Sequence, residues 1–139
     1  MNNNQKDLIE AAVKAREKAT APFSHFKVGA ALETTSGKVF TGCNIENASY
    51  GLTVCAERVA IWKAVSEGEK DFRQIIVVAD TETLTPPCGA CRQIIWEFCG
   101  DVPVTMANLK EESQTVSMKD LLPRAFGREF LSEDENTNE

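Results

Sequence analysis

Gln74-Ile75-Ile76-Val77-Val78-Ala79 leads through Pro86-Pro87-Cys88-Gly89-Ala90-Cys91 to Val102-Pro103-Val104-Thr105-Met106. The first run is continuous and apolar, which predicts a strand buried on both faces. Cys88 to Phe98 predicts a helix stopped near Gly100, and Val102 to Leu109 a further strand. Strand, helix and strand in succession imply parallel strands joined by a crossover helix.

Outward from this unit, Cys55 to Glu67 predicts a helix, with Gly68 at its end. Before it, Val28 to Glu33 and Val39 to Ile45 predict strands joined by the hairpin turn Thr35-Ser36-Gly37-Lys38. Leu8, Ile9, Ala12, Val13 and Ala15 recur at helical spacing, so Asp7 to Thr20 predicts a first helix, ended by Pro22. Val116 ends a fifth strand, and Lys119 to Leu122 forms a short helix before Pro123. The order α-β-β-α-β-α-β-β-α predicts an α/β fold. We expect a three-layer α-β-α sandwich around a mixed sheet of about five strands.

The chain has 139 residues, of which 42% are apolar and 26% charged, as expected for one globular domain with a real core. That domain is expected to span 1–131. Ser132-Glu133-Asp134-Glu135-Asn136-Thr137-Asn138-Glu139 has no apolar residue and is expected to be a disordered acidic tail, 132–139. No apolar run of about 18 residues suggests a membrane span. The polar start Met1-Asn2-Asn3-Asn4-Gln5 lacks the apolar stretch of a signal peptide, so a cytoplasmic protein is expected. Five cysteines in such a chain argue for metal binding or chemistry over disulfides. The net charge of −6 disfavours a nucleic-acid polymer as partner but not a small neutral ligand.

Cys55-Ala56-Glu57 and Pro87-Cys88-Gly89-Ala90-Cys91 carry the chemistry. Cys88 and Cys91 share one face of a helix start, and Cys55 falls at another helix start. Helix N-termini favour the thiolate form. Three thiolates can hold one zinc ion and leave its fourth position open to water. Glu57, two residues from a ligand, can move that water's proton. Three thiolates on Zn²⁺ leave a net negative charge, and Arg58 is the candidate to offset it by hydrogen bonding to sulfur. Cys99 lies too far along the helix from Cys91 to share the ion. Cys43 and Cys99 are expected to be buried free thiols, and His25 a surface or structural residue. A thioredoxin-like redox motif would need neither Cys55 nor Glu57.

These motifs, with Phe23-Ser24-His25-Phe26-Lys27-Val28-Gly29-Ala30-Ala31, Gly42-Cys43-Asn44-Ile45-Glu46-Asn47-Ala48, Arg92-Gln93 and Leu121-Leu122-Pro123, resemble the small homotetrameric cytidine deaminases with an all-cysteine zinc site. The likeness runs from about residue 5 to residue 128. The resemblance implies one zinc per subunit, bound by Cys55, Cys88 and Cys91, and attack of activated water at C4 of a cytosine ring. Glu57 would take the water proton, pass it to ring N3 and later help protonate ammonia. The resemblance also implies ribose contacts from Asn44 and Glu46, a wall against the base from Phe26, and a place for Ala56 in the substrate site. Phe126 would enter a neighbouring subunit's pocket in a homotetramer, and Gln93 would stand near the zinc. Phe23 replaces a common tyrosine and Pro86 a common serine, and Pro86 borders the expected base pocket.

The expected activity is hydrolytic deamination of cytidine and deoxycytidine to uridine and deoxyuridine in pyrimidine salvage. A deaminase of another aminopyrimidine nucleoside, such as blasticidin S, is the nearest alternative. A non-catalytic domain stapled by zinc is the alternative of a different class. It predicts four protein ligands and leaves Glu57 without a task.

Overall fold

The computed structural model describes residues 3–131. The expectation of a disordered tail at 132–139 lies outside the described residues.

Among the described residues, nine helices and strands follow the predicted order: α1 (Asn3–Arg16), β1 (Val28–Thr34), β2 (Val39–Cys43), α2 (Ala56–Ser66), β3 (Phe72–Ala79), α3 (Gly89–Cys99), β4 (Pro103–Ala107), β5 (Ser113–Ser117) and α4 (Met118–Leu121). Single turns of 3₁₀ helix at Tyr50–Leu52 and Arg128–Phe130 have no counterpart in the sequence reading. The strands form one mixed sheet in the order β2-β1-β3-β4-β5. Among the described strands only β3 and β4 pair in parallel, and α3 makes the crossover between them.

β3 explains the sandwich. Ile75 to Ala79 are all buried, as the continuous apolar run predicts. Side chains alternate across a strand. Ile75 joins a core with Ala60, Ile61 and Ala64 of α2, Ile95 of α3 and Met118 of α4. Ile76 and Val78 join a second core with Leu8 and Ala12 of α1. Helices therefore cover both faces. Truncating a fully buried isoleucine such as Ile76 to alanine costs about 2–5 kcal/mol.

Both ends of α1 and the end of β2 differ from expectation, for tertiary reasons. α1 starts at Asn3, not Asp7, because its first polar side chains reach the sheet: Asn4 Nδ2 donates to Glu33, and Gln5 Nε2 donates to Thr105 Oγ1 and Thr115 Oγ1. It ends at Arg16, not near Pro22. Thr20 instead pairs as an isolated bridge with Ile45, its N–H donating to the Asn44 carbonyl at 2.9 Å. β2 likewise stops at Cys43, because Ile45 is taken up between Thr20 and Val54. These bridges carry Asn44 and Glu46 out of the sheet and toward the helix starts. Among the described residues, no helix is long and apolar enough to cross a membrane.

Candidate active site

Cys55 is the N-cap residue of α2 and Cys88 that of α3, both in extended backbone geometry. Neither makes a side-chain cap hydrogen bond, so both sulfurs are free to point elsewhere. Cys91, in the first turn of α3, is buried. The three sulfurs lie within 4.8 Å of one another, with Cys55 and Cys88 at 3.9 Å. Zn–S bonds of about 2.3 Å at tetrahedral angles separate sulfurs by about 3.8 Å. The cluster therefore fits one zinc ion. Among the described residues, neither Cys43, Cys99 nor His25 belongs to it.

The thiols are tuned differently. The hydrogen bond with Cys91, followed by Arg58, pulls Cys55 down to about 5. Cys91 is pushed up, chiefly by holding its proton toward Cys55. Arg58 Nη2 donates to Cys55 Sγ at 3.3 Å, and its guanidinium carbon lies 5.9 Å from the centroid of the Trp62 ring. That contact is the arrangement expected of a charge partner for the cluster. Its Nε is buried and has no hydrogen-bond partner among the described residues.

Glu57 follows on the first turn of α2 and is 4% exposed. Burial pushes its carboxyl up to about 7, and the Cys55 thiolate pushes the same way. A carboxyl in that range can both accept and return a proton near neutrality.

Glu57, Cys55 and Cys88 line one cavity of about 280 Å³. Phe26, Asn44, Glu46 and Ala56 line it too, so four of the expected substrate contacts meet the cluster there. Among the described residues, no lysine or arginine lines this cavity or the adjoining, wider one bounded by Phe23 and Tyr50. Pro86 forms part of the wall beside Thr85. The wall residues Thr53, Val54 and Val77 were not singled out from the sequence, since each reads as an ordinary strand or loop position.

The sugar-binding candidates already have protein partners. Asn44 Oδ1 accepts from the Val28 N–H at 2.9 Å, and its Nδ2 donates to the Phe26 carbonyl at 2.7 Å. Glu46 Oε1 accepts from the N–H groups of Phe23 and Ser24 at 3.0 and 3.1 Å, and Oε2 accepts from the Ser24 hydroxyl. Both residues retain hydrogen-bonding capacity for a ligand. Ser24 was not singled out either. The available signal was its place as a short polar residue in an aromatic turn.

The remaining candidates lie elsewhere. Phe126 is 55% exposed, stacks on Phe130 at 5.7 Å, and does not line the cavity of its own chain. Gln93 Nε2 donates to the Phe126 carbonyl at 2.8 Å, and thus holds that segment to α3. Arg92 donates to the carbonyls of Pro87 and Leu121 at 2.8 and 2.9 Å, steadying the loop that enters Cys88. Cys43 and Cys99 are free thiols, but half-buried and not fully enclosed as expected, because each lies at the end of its element.

Comparisons with known proteins agree with this geometry. Residues 2–106 match the family described as the cytidine and deoxycytidylate deaminase zinc-binding region. A cytidine deaminase of Sporosarcina psychrophila is 52% identical over 126 residues, covering 90% of this chain and 93% of the relative. The crystal structure of cytidine deaminase from Burkholderia pseudomallei superposes with a TM-score of 0.86 at 50% identity, covering 91% of this chain and all of the other. Blasticidin-S deaminase of Bacillus cereus is more distant, 33% identical over 91% of this chain and 96% of its own length. The thiol cluster, the buried glutamate, the fold and these likenesses converge: the chain belongs to the cytidine and deoxycytidylate deaminase family.

Proposed function

We propose that the protein is a zinc-dependent cytidine deaminase that hydrolyses cytidine and deoxycytidine to uridine and deoxyuridine, releasing ammonia. The observation that carries this reading is Glu57, buried and lining one cavity with two of the clustered thiols. Cys55, Cys88 and Cys91 would hold the zinc, which when bound would supply the positive centre that makes water nucleophilic near neutral pH. Glu57 would take one proton from the attacking water and deliver it to N3 of the pyrimidine, then take the second proton of the same oxygen and pass it to the leaving amine, which departs as ammonia. This is the general scheme of zinc deaminases. Arg58 keeps the sulfur cluster anionic and balanced in charge.

Phe26 supplies an aromatic wall for the base, and Ala56 lies beside Glu57 in the same cavity. Asn44 and Glu46 hold sugar hydroxyls with their remaining hydrogen-bonding capacity. The cationless cavities favour a free nucleoside over a nucleotide, because a phosphate would meet Glu46 and no lysine or arginine. The work is done by one catalytic domain, 1–131, of a cytoplasmic homotetramer serving pyrimidine salvage. The exposed Phe126 completes a neighbouring subunit's pocket, with Gln93 acting on the carbonyl of that residue and not on the thiols. A stapled structural domain explains neither the buried Glu57 nor a cluster of three thiols where four ligands would close the site.

The test is an ultraviolet assay on cytidine, deoxycytidine, CMP, adenosine and blasticidin S, with zinc measured on the same sample. Turnover of the first two supports the reading. Turnover of blasticidin S alone, or inertness toward all five at full zinc occupancy, overturns it.

A further inference from the structure

The loop from Phe23 to Phe26 is organised by one hydroxyl. Ser24 Oγ donates to Glu46 Oε2 and accepts from the Phe26 N–H at 3.0 Å. Between them His25 takes φ = 59°, a left-handed conformation uncommon outside glycine. The turn is held by its bonds: Ser24 to Phe26 inside the loop, and Phe23 and Ser24 to Glu46 outside it. Ser24, Glu46 and Thr53 line both the inner cavity and the outer one, so they form the wall between the two. The hydroxyl thus joins two elements assigned different tasks, the carboxylate for the sugar and the aromatic wall for the base.

We propose that Ser24 is a positioning residue that couples sugar recognition to the aromatic wall, by bridging Glu46 Oε2 to the backbone of Phe26. The proposal rests on the nucleoside-deaminase reading above. A carboxylate offers about four acceptor sites, and the loop occupies three of those on Glu46, leaving one for a sugar hydroxyl. Which site is left, and where it points, depends on the hydroxyl of Ser24. Removing that hydroxyl frees Oε2 and the Phe26 N–H together. The carboxylate can then turn toward solvent and the ring can move without it. Ser24 touches neither the thiols nor Glu57 in any hydrogen bond of the described residues, so the chemical step is spared. The bond to Glu46 is charge-assisted, the stronger class of hydrogen bond. The same hydroxyl holds the Glu46 carboxyl below the usual carboxylate range.

The experiment compares Ser24→Ala and Ser24→Thr with the parent zinc-loaded enzyme, on cytidine and on 2′,3′-dideoxycytidine. Loss of one charge-assisted hydrogen bond corresponds to about a tenfold or larger change in affinity. Ser24→Ala is expected to raise KM for cytidine about tenfold, with kcat within about twofold of the parent. The rise for the dideoxynucleoside, which offers Glu46 no hydroxyl at C2′ or C3′, is expected to be several times smaller. Ser24→Thr keeps a hydroxyl and is expected to recover most of the lost KM. Ser24 is exposed, and an unchanged melting temperature excludes a general folding defect. An unchanged KM, an equal rise for both sugars, or a fall in kcat alone overturns the proposal. Absence of cytidine turnover in the parent enzyme overturns the underlying reading, and the proposal with it.

Discussion

Gly42 of β2 lies directly against Ala56 of α2: a Cβ on Gly42 would stand 2.4 Å from the Ala56 carbonyl oxygen and 2.6 Å from the Ala60 nitrogen. Both are backbone atoms, so neither can swing aside. The first turn of α2 carries Cys55 at its cap and Glu57 one residue on from Ala56. This close approach therefore sets the height of two site residues above the sheet.

Gly42→Ala is expected to lift that turn, destabilise the fold by about 1–3 kcal/mol and loosen the zinc site. Thermal melting and zinc content on the same sample check it. A variant with unchanged melting and full zinc would show that α2 does not depend on this contact.

Arg58→Gln removes the only charged partner whose hydrogen bond to Cys55 is found among the described residues. Zinc affinity is expected to fall about 10–100-fold, as for other partners of metal ligands. Competition with a chromogenic chelator measures this. Equal affinity in the two proteins would remove Arg58 from the support of the cluster.

Glu57→Gln keeps the shape of a buried side chain but can no longer take a proton. Turnover is expected to fall about 10²–10⁴-fold, with zinc retained and stability preserved. The relevant measurements are kcat on cytidine beside metal analysis. Normal turnover in the zinc-loaded variant would reassign the proton transfer.

Cys88→Ser exchanges an exposed sulfur of the cluster for a hydroxyl, a poor zinc ligand. Metal binding and folding are linked, so zinc content and melting temperature should fall together. Treating the parent protein with a strong chelator should lower its melting temperature in the same direction. Full zinc in the variant would mean that the ligand set is different.

Burial pushes the Cys99 thiol up to about 12. An unfolded chain ionises this thiol at about 8.5. Its contribution to stability is thus fully present below about pH 8.5 and is lost as pH rises toward about 12, because the unfolded state ionises first. Cys99→Ala should therefore lose less melting temperature than the parent between about pH 7.5 and about pH 10. Equal losses in the two proteins would mean that Cys99 titrates as it does in the open chain.

Much of the fold was legible because its elements are local. The apolar run Ile75-Ile76-Val77-Val78 could hardly be other than a two-sided buried strand, and the crossover after it required a parallel neighbour. The ends of α1 and β2 were misplaced for the opposite reason. Thr20 bonds Asn44 and Glu46 through the backbone, and Ile45 bonds Val54, and such bridges leave no periodic trace in sequence. The 3₁₀ turn at Tyr50–Leu52 is too short to show a period at all.

By itself, the sequence determined the identities and local spacing of Cys55, Glu57, Cys88 and Cys91, because helix geometry converts such spacing into a shared face. Only the tertiary structure decided that Cys55 meets Cys88 across 33 residues, that Glu57 is buried beside them, and that Asn44 and Glu46 hold the Phe26 loop. It also revealed Ser24 and Gly42, whose positions depend on which segments pack together. The physical reason is range. Secondary structure is written in contacts a few residues apart, whereas burial, desolvation and convergent hydrogen bonds arise only when distant segments close around the same space.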